Sequence, residues 1–334
     1  MAAATPLVVL GEVRTGLLPS ATALARPQAG ELLALMPGRP VRWRERPGSL
    51  AISPTLAVGV DCEVRLGGTA MPDGATARVV GTVATSVALT GGRVVQSSAR
   101  TRVVRASERR RQPWSHYISR VGVTEAISRI PERATASAAL ADGYLTGAAG
   151  PDILDLASIS ERLLARVRAD ARLDQSPPVR AGITRLRWTA VVGGGAGPAL
   201  SLHMDDDITR SARLIVRDGA DLDAAQRFCE DLAAHDWLLT VTAGALDEAN
   251  RHRPHSRERL DILAPLLEHL AGLWMPGAHT PAALRALWSG LQSDPGFSRQ
   301  WNTLVGRLRD SIAVATLETL RQKVFGDEWQ RPEP

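Results

Sequence analysis

The chain has 334 residues, of which 44% are hydrophobic and 22% charged, a length that suggests about two domains and a sizeable core. Its formal net charge is +5, from 40 basic and 35 acidic residues, and Lys323 is the lone lysine among the basic ones. These figures exclude a disordered chain, a disulfide-stapled miniprotein and a helical membrane protein, because no run approaches the roughly 18 to 20 apolar residues a spanning helix needs.

The first ten residues carry no basic n-region, and their apolar run stops at Gly11-Glu12. That predicts no export. Cys62 and Cys229 lie far apart among apolar or small residues and read as reduced, buried thiols, so a cytoplasmic protein is expected.

From the N-terminus the chain reads as strands. Leu7–Leu18 alternates apolar and polar residues, and Leu50–Val58 and Val60–Leu66 are shorter runs. Ala29–Leu35 predicts a short helix ended by Pro37-Gly38. Val79–Val104 is the clearest hairpin, turning at Gly91-Gly92. In its second arm Val95, Ser97, Ala99, Thr101 and Val103 share one face, and Gln96, Ser98, Arg100 and Arg102 the other, which is expected to be the wet one. Ser115–Ile130 has near-helical apolar spacing up to Pro131. The region 1–133 is accordingly expected as a β-rich domain, and the small-residue stretch 134–150 as a linker.

A second unit, 151–253, reads as helix, three strands, helix. The first helix runs from about Leu154 to Leu173 with Ile159, Leu163 and Val167 on its stripe. Thr184–Val192, Ala199–Met204 and Arg213–Arg217 predict a meander. Its first turn is Gly193–Gly197, and its register sets Arg187 opposite His203 and Arg185 opposite Asp205. The last helix starts near Asp221, with Asp223 and Gln226 at capping-box spacing, and ends near Asn250. Residues 254–326 predict three packed helices anchored by Trp274, Trp288 and Trp301, and 327–334 a loose tail in which Trp329 is an interface candidate. The expected class is α+β: a β-rich N-terminal region, a helix–three-strand–helix middle unit and a helical C-terminal region.

Charge is distributed unevenly. Residues 1–150 hold 18 basic and 10 acidic side chains, the remainder 22 and 25. Seven arginines fall between Arg93 and Arg111, against the single acid Glu108. Arginine substituting for surface lysine accounts for much of the total, but the local excess suits an acidic partner, and Arg109-Arg-Arg-Gln-Pro-Trp-Ser-His-Tyr117 adds aromatic rings that can stack. The candidate partner-binding residues are therefore Arg100, Arg102, Arg105, Arg109, Arg110, Arg111, Trp114, His116 and Tyr117.

Other chemistry is sparse. His203, Asp205 and Asp207 share one side of a strand and are candidate metal ligands for a hydrolase or nuclease, although a cross-strand pairing with Arg185 and Arg187 is the simpler account. His235 falls on the apolar face of its helix, where a satisfied core histidine is the simpler account. Gly193–Gly197 lacks the Gly-Lys-Ser/Thr ending of a phosphate loop and precedes a strand. No nucleophile triad, paired-carboxylate spacing or cofactor motif is present, and no cofactor is expected.

Seven segments, Leu7–Leu18, Gly59–Cys62, Gly81–Val104, Pro113–Tyr117, Gly143–Gly147, Thr184–Trp188 and Phe228–Leu239, together resemble an uncharacterised family of actinomycete cytoplasmic proteins. The resemblance covers most of the chain up to about residue 250. It implies membership of a conserved gene cassette beside a variant P-loop protein and a SAM-dependent methyltransferase, and it transfers no catalytic residue. The resulting expectation is a non-enzymatic accessory protein that meets an anionic or acidic partner from that cassette, with no membrane association. Metal-dependent hydrolysis and sequence-independent nucleic-acid binding are the alternatives.

Overall fold

The computed structural model describes residues 6–326 apart from positions 70, 149, 194, 196 and 253–256, with side chains to residue 321. The elements in chain order are β1 (Val8–Leu17), α1 (Arg26–Leu33), β2 (Arg42–Arg44), β3 (Leu50–Ile52), β4 (Leu56–Arg65), β5 (Thr76–Thr90), β6 (Val94–Arg105), α2 (Trp114–Ile118), β7 (Val123–Ala126), α3 (Arg133–Thr146), α4 (Leu156–Arg168), β8 (Thr184–Val192), β9 (Ala199–Met204), β10 (Thr209–Val216), α5 (Leu222–Arg251), α6 (Arg257–His269), α7 (Ala286–Ser293) and α8 (Phe297–Gly326). The fold is α+β, with strands mainly in the N-terminal half and helices toward the C-terminus.

One ten-stranded mixed sheet runs through the molecule in the order β2-β3-β5-β7-β6-β1-β8-β10-β9, with β4 on β5. β1 pairs antiparallel with β6 on one side and β8 on the other. The strands expected in separate units therefore share one sheet, and the boundary placed at residue 150 is corrected. The expected linker 134–150 is mostly helix α3, whose Ala136, Ala139, Leu140 and Ala141 are buried against the sheet. Its small residues serve close approach. A Cβ on Gly143 would meet the Arg65 carbonyl oxygen at 2.2 Å.

The hairpin forms as expected, β5 on β6, with Gly91 and Gly92 both at positive φ, the combination that suits the twist of a tight turn. At the far end the two strands separate and β7 enters between them, antiparallel to β5 and parallel to β6. The helix expected over 115–130 is thereby reduced to the single turn of α2, followed by this strand.

Both faces of the sheet are covered. On one, α5 lies across β1, β6 and β8, and its Phe228, Leu232, Trp237 and Leu246 join Val9, Val13, Trp188 and Leu214 in a core that α6, α7 and α8 extend. Trp188 sits over Gly11, where a Cβ would fall 2.1 Å from the indole. Trp274 stacks on Trp301 with centroids 4.6 Å apart, and Trp288 lies 6.0 Å from Phe228, so these three tryptophans anchor the helices as expected. On the other face α3 and α4 bury Leu140, Leu156, Ile159, Leu163 and Val167.

The middle meander is corrected. β10 lies between β8 and β9, parallel to the first and antiparallel to the second, so Gly193–Gly197 belongs to a crossover and not a hairpin turn. His203 is opposite Ser211, and Ser211 is opposite Arg187. The expected tail, with Trp329, lies outside the described residues. Among those residues no helix is long and apolar enough to cross a membrane.

Candidate functional site

Arg100 and Arg102 point to the face that carries α5, and that face is not wet. Gln96 and Ser98, their companions on β6, are buried beneath the helix. Gln96 Nε2 donates to the Glu230 carbonyl at 2.8 Å, and the Ser98 hydroxyl to the Glu230 carboxylate at 2.6 Å. Strand polarity therefore marks a satisfied seam under a helix, the condition on which polar groups are buried at low cost.

Arg100 and Arg102 emerge where that seam opens. β6 runs between β5, on which α2 rests, and β1, on which α5 rests. The Arg100 side chain retains 23% of its exposure and lies 3.7 Å from Asp223 at the start of α5, which also pairs with Arg102. The expected capping box is absent, because Asp223 faces these arginines and Gln226 turns to Ser86 and Glu230. Burial, joined by the fields of Arg102, Arg227 and Arg42, pushes the Arg100 guanidinium down to about 10, with Glu230 partly offsetting them. Arg227 pairs with Glu230. Arg100 and Arg102 from β6 and Arg227 from α5 thus gather near two carboxylates, those of Asp223 and Glu230, and Arg42 on β2 adds its field.

The remaining candidates divide. Arg105 donates to the carbonyls of Ile130 and Pro131, a structural clamp on the chain entering α3. Arg111 lies 5.2 Å from the Trp114 ring centroid and its Nε is 3.1 Å from Asp61, which also holds Arg78. Trp114 covers Gly59, where a Cβ would come within 3.2 Å of the indole, and stays 38% exposed. Tyr117 is buried, its hydroxyl accepting from the Gln112 amide at 3.0 Å. His116 contacts the Glu125 carboxylate at 2.9 Å, and Arg120 pairs with the same group. Arg109 and Arg110 are exposed, with no ion pair or side-chain hydrogen bond among the described residues. The nine residues therefore do not form one patch. Arg100 and Arg102 belong to the seam mouth, Arg109 and Arg110 project from the following loop, Arg105 clamps the chain entering α3, and Arg111, Trp114, His116 and Tyr117 belong to α2 and its surroundings.

Sequence reasoning missed Arg42 and Arg227. The signal for Arg42 lay in Arg42-Trp-Arg44, a short alternating run that places Arg42 and Arg44 on the α5 face of the edge strand β2.

The metal candidates are not gathered. His203 is exposed on edge strand β9, Asp205 accepts from the Ser211 hydroxyl at 3.0 Å, and Asp206 takes the Ile208 and Thr209 amides at 2.8 and 2.7 Å in a turn. Asp207 is exposed. Arg185 and Arg187 are spent elsewhere, on Glu12 and on carbonyls of residues 144–147. No group of three or more His, Cys, Asp or Glu among the described residues can hold a metal ion. His235 is buried and doubly bonded: the Met275 amide donates to Nε2 at 3.0 Å, so Nδ1 carries the hydrogen given to the Asp231 carbonyl at 2.6 Å. Burial lowers its pKa to about 4. It is a neutral core histidine.

No family model, curated protein or solved structure matches the chain.

Proposed function

We propose that the protein is a non-enzymatic cytoplasmic accessory protein that docks an acidic protein surface on the seam mouth formed by Arg42, Arg100, Arg102 and Arg227, with Arg109 and Arg110 extending the contact. What carries the reading is the gathering of three guanidiniums from β6 and α5 around two carboxylates, within the field of Arg42. Like charges brought together with incomplete internal neutralisation are stabilised by an incoming anion. Trp114, exposed beside Arg111, supplies a flat apolar surface at the rim. The resemblance to the actinomycete family points to the P-loop protein or the methyltransferase of the cassette as the partner.

The test is co-purification of the chain with each cassette protein at low and moderate salt, using wild type and an Arg109→Glu/Arg110→Glu variant. The reading expects a complex that weakens with salt and at least about tenfold in the variant, since rim charges act on encounter and salt dependence. Absence of a complex with either protein at low salt overturns it. Binding instead to labelled single-stranded DNA, with affinity falling steeply as salt rises, would transfer the same arginines to nucleic acid.

A further inference from the structure

The opposite face of the sheet holds a second concentration of arginine, set around a cavity. β1 and β8 direct Arg14, Arg185 and Arg187 toward α3 and α4, and Arg65 arrives from the end of β4. They line a cavity of about 240 Å³ closed by Gly147 and by the first turn of α4.

Three of these guanidiniums are fixed by bonds that occupy one nitrogen each. Arg185 donates Nε to Glu12, Arg65 donates Nε to the Ala148 carbonyl at 3.0 Å, and Arg187 donates Nη1 to the carbonyls of Tyr144 and Leu145, both at 3.2 Å. Arg187 also lies 5.7 Å from the Tyr144 ring centroid. Arg14 reaches Glu161 at 3.2 Å, while its buried Nε finds no partner among the described residues. The carboxylates nearby are committed in part. Asp155 caps α4 by accepting from the Ser158 amide at 3.1 Å and from its hydroxyl. Glu12 is fully buried, with Oε2 lacking a partner. The cavity wall therefore offers pre-positioned planar donors and a local excess of positive charge.

We infer that this cavity binds a small oxyanion, a molecule bearing a carboxylate or phosphoryl group that the arginine forks grip. Guanidinium geometry matches either group bidentately, and donors already fixed in place lose little freedom on binding. The volume suits a compact metabolite. The site lies across the sheet from the seam mouth, so it stands or falls independently of partner docking.

The experiment is calorimetric titration of the full chain with inorganic phosphate and with malonate, each against sodium chloride at matched ionic strength. Saturable binding of either anion is expected, phosphate alone indicating a phosphoryl ligand and malonate alone a carboxylate. Arg65→Met, which removes a fork, and Ala157→Glu, which adds a carboxylate to the wall, should each weaken it at least about tenfold, while Arg39→Ala, at an exposed arginine outside the cavity lining, leaves it unchanged. Heats no different from sodium chloride for both anions overturn the inference. Binding that survives both Arg65→Met and Ala157→Glu does so too, and the two variants differ in chemistry, so failure of one to fold leaves the other decisive.

Discussion

Arg185 on β8 donates its Nε–H to the carboxylate of Glu12 on β1, joining two strands whose residues are more than 170 positions apart in the chain. Glu12 is fully buried and the Arg185 side chain 24% exposed, so the pair lies at the foot of the arginine-lined cavity. Removing one partner strands the other. Glu12→Gln is expected to cost about 3 kcal/mol in urea denaturation, whereas Glu12→Leu/Arg185→Leu should restore most of that loss, because an apolar pair avoids the desolvation that a lone buried charge suffers.

Acid should destabilise the fold through His235. Its pKa is about 4 in the folded protein, against an ordinary 6.5, so the unfolded chain binds the proton more tightly. Stability is fully present above pH 6.5 and declines as pH falls toward 4, by up to about 3 kcal/mol. Asp231, raised by burial, acts in the opposite sense, and His279, lowered by burial, acts in the same sense as His235. Comparing wild type with His235→Gln between pH 7 and 4 isolates the histidine. The variant should be less stable at pH 7 and show a shallower pH slope.

The contact between Gly11 and Trp188 predicts an unusually sensitive glycine. Gly11→Ala puts a methyl group inside the indole's volume and should prevent native packing or cost more than Trp188→Ala, itself expected at about 3 to 5 kcal/mol. Thermal denaturation followed by near-UV circular dichroism reads the difference.

Arg102→Ala should be almost silent for stability, within about 1 kcal/mol, since its partner Asp223 is 60% exposed. A loss of partner binding in that variant can then be assigned to the interface. Melting curves of purified protein check the first statement before the second is used.

The two thiols should be sluggish. Burial, with help from Asp61 and Glu63, raises Cys62 to about 11 from an ordinary 9.0, and burial raises Cys229 as well. Cys62 should react with a disulfide reagent at neutral pH about a hundredfold more slowly than a free thiol, and Cys229 only after unfolding.

The elements with strong local signals were legible in the sequence: the β5–β6 hairpin by its glycine pair and alternation, α5 by its apolar stripe, α4 by its spacing. Non-local pairing was not. Six residues between β8 and β9 suggest a hairpin, and nothing local reveals that β10 enters between them, parallel to β8. α3 read as a linker because Ala and Gly are ambiguous between looseness and close contact, and Gly143 against the Arg65 carbonyl shows the second meaning. The polar face of β6 read as wet because a strand's alternation tells which residues share a side and not what covers them. The arginines of the seam were legible in part, but their companions Arg42 and Arg227 come from an edge strand and a helix far away in sequence. Only assembly of the sheet brings them together.

The position of β1 has a consequence for synthesis. Its two neighbours in the sheet end at Arg105 and Val192. On the ribosome, β1 can pair with β6 once the first third of the chain has emerged, yet its other edge stays open until β8 follows. Through that interval the strand presents unpaired amide and carbonyl groups beside the apolar Val9 and Val13, the surface on which nascent chains adhere to one another. Slowing translation between residues 105 and 192 should lower the soluble yield, whereas the same delay after Val192 should be tolerated, and a fragment that stops at residue 150 should aggregate because its third-strand partner never arrives.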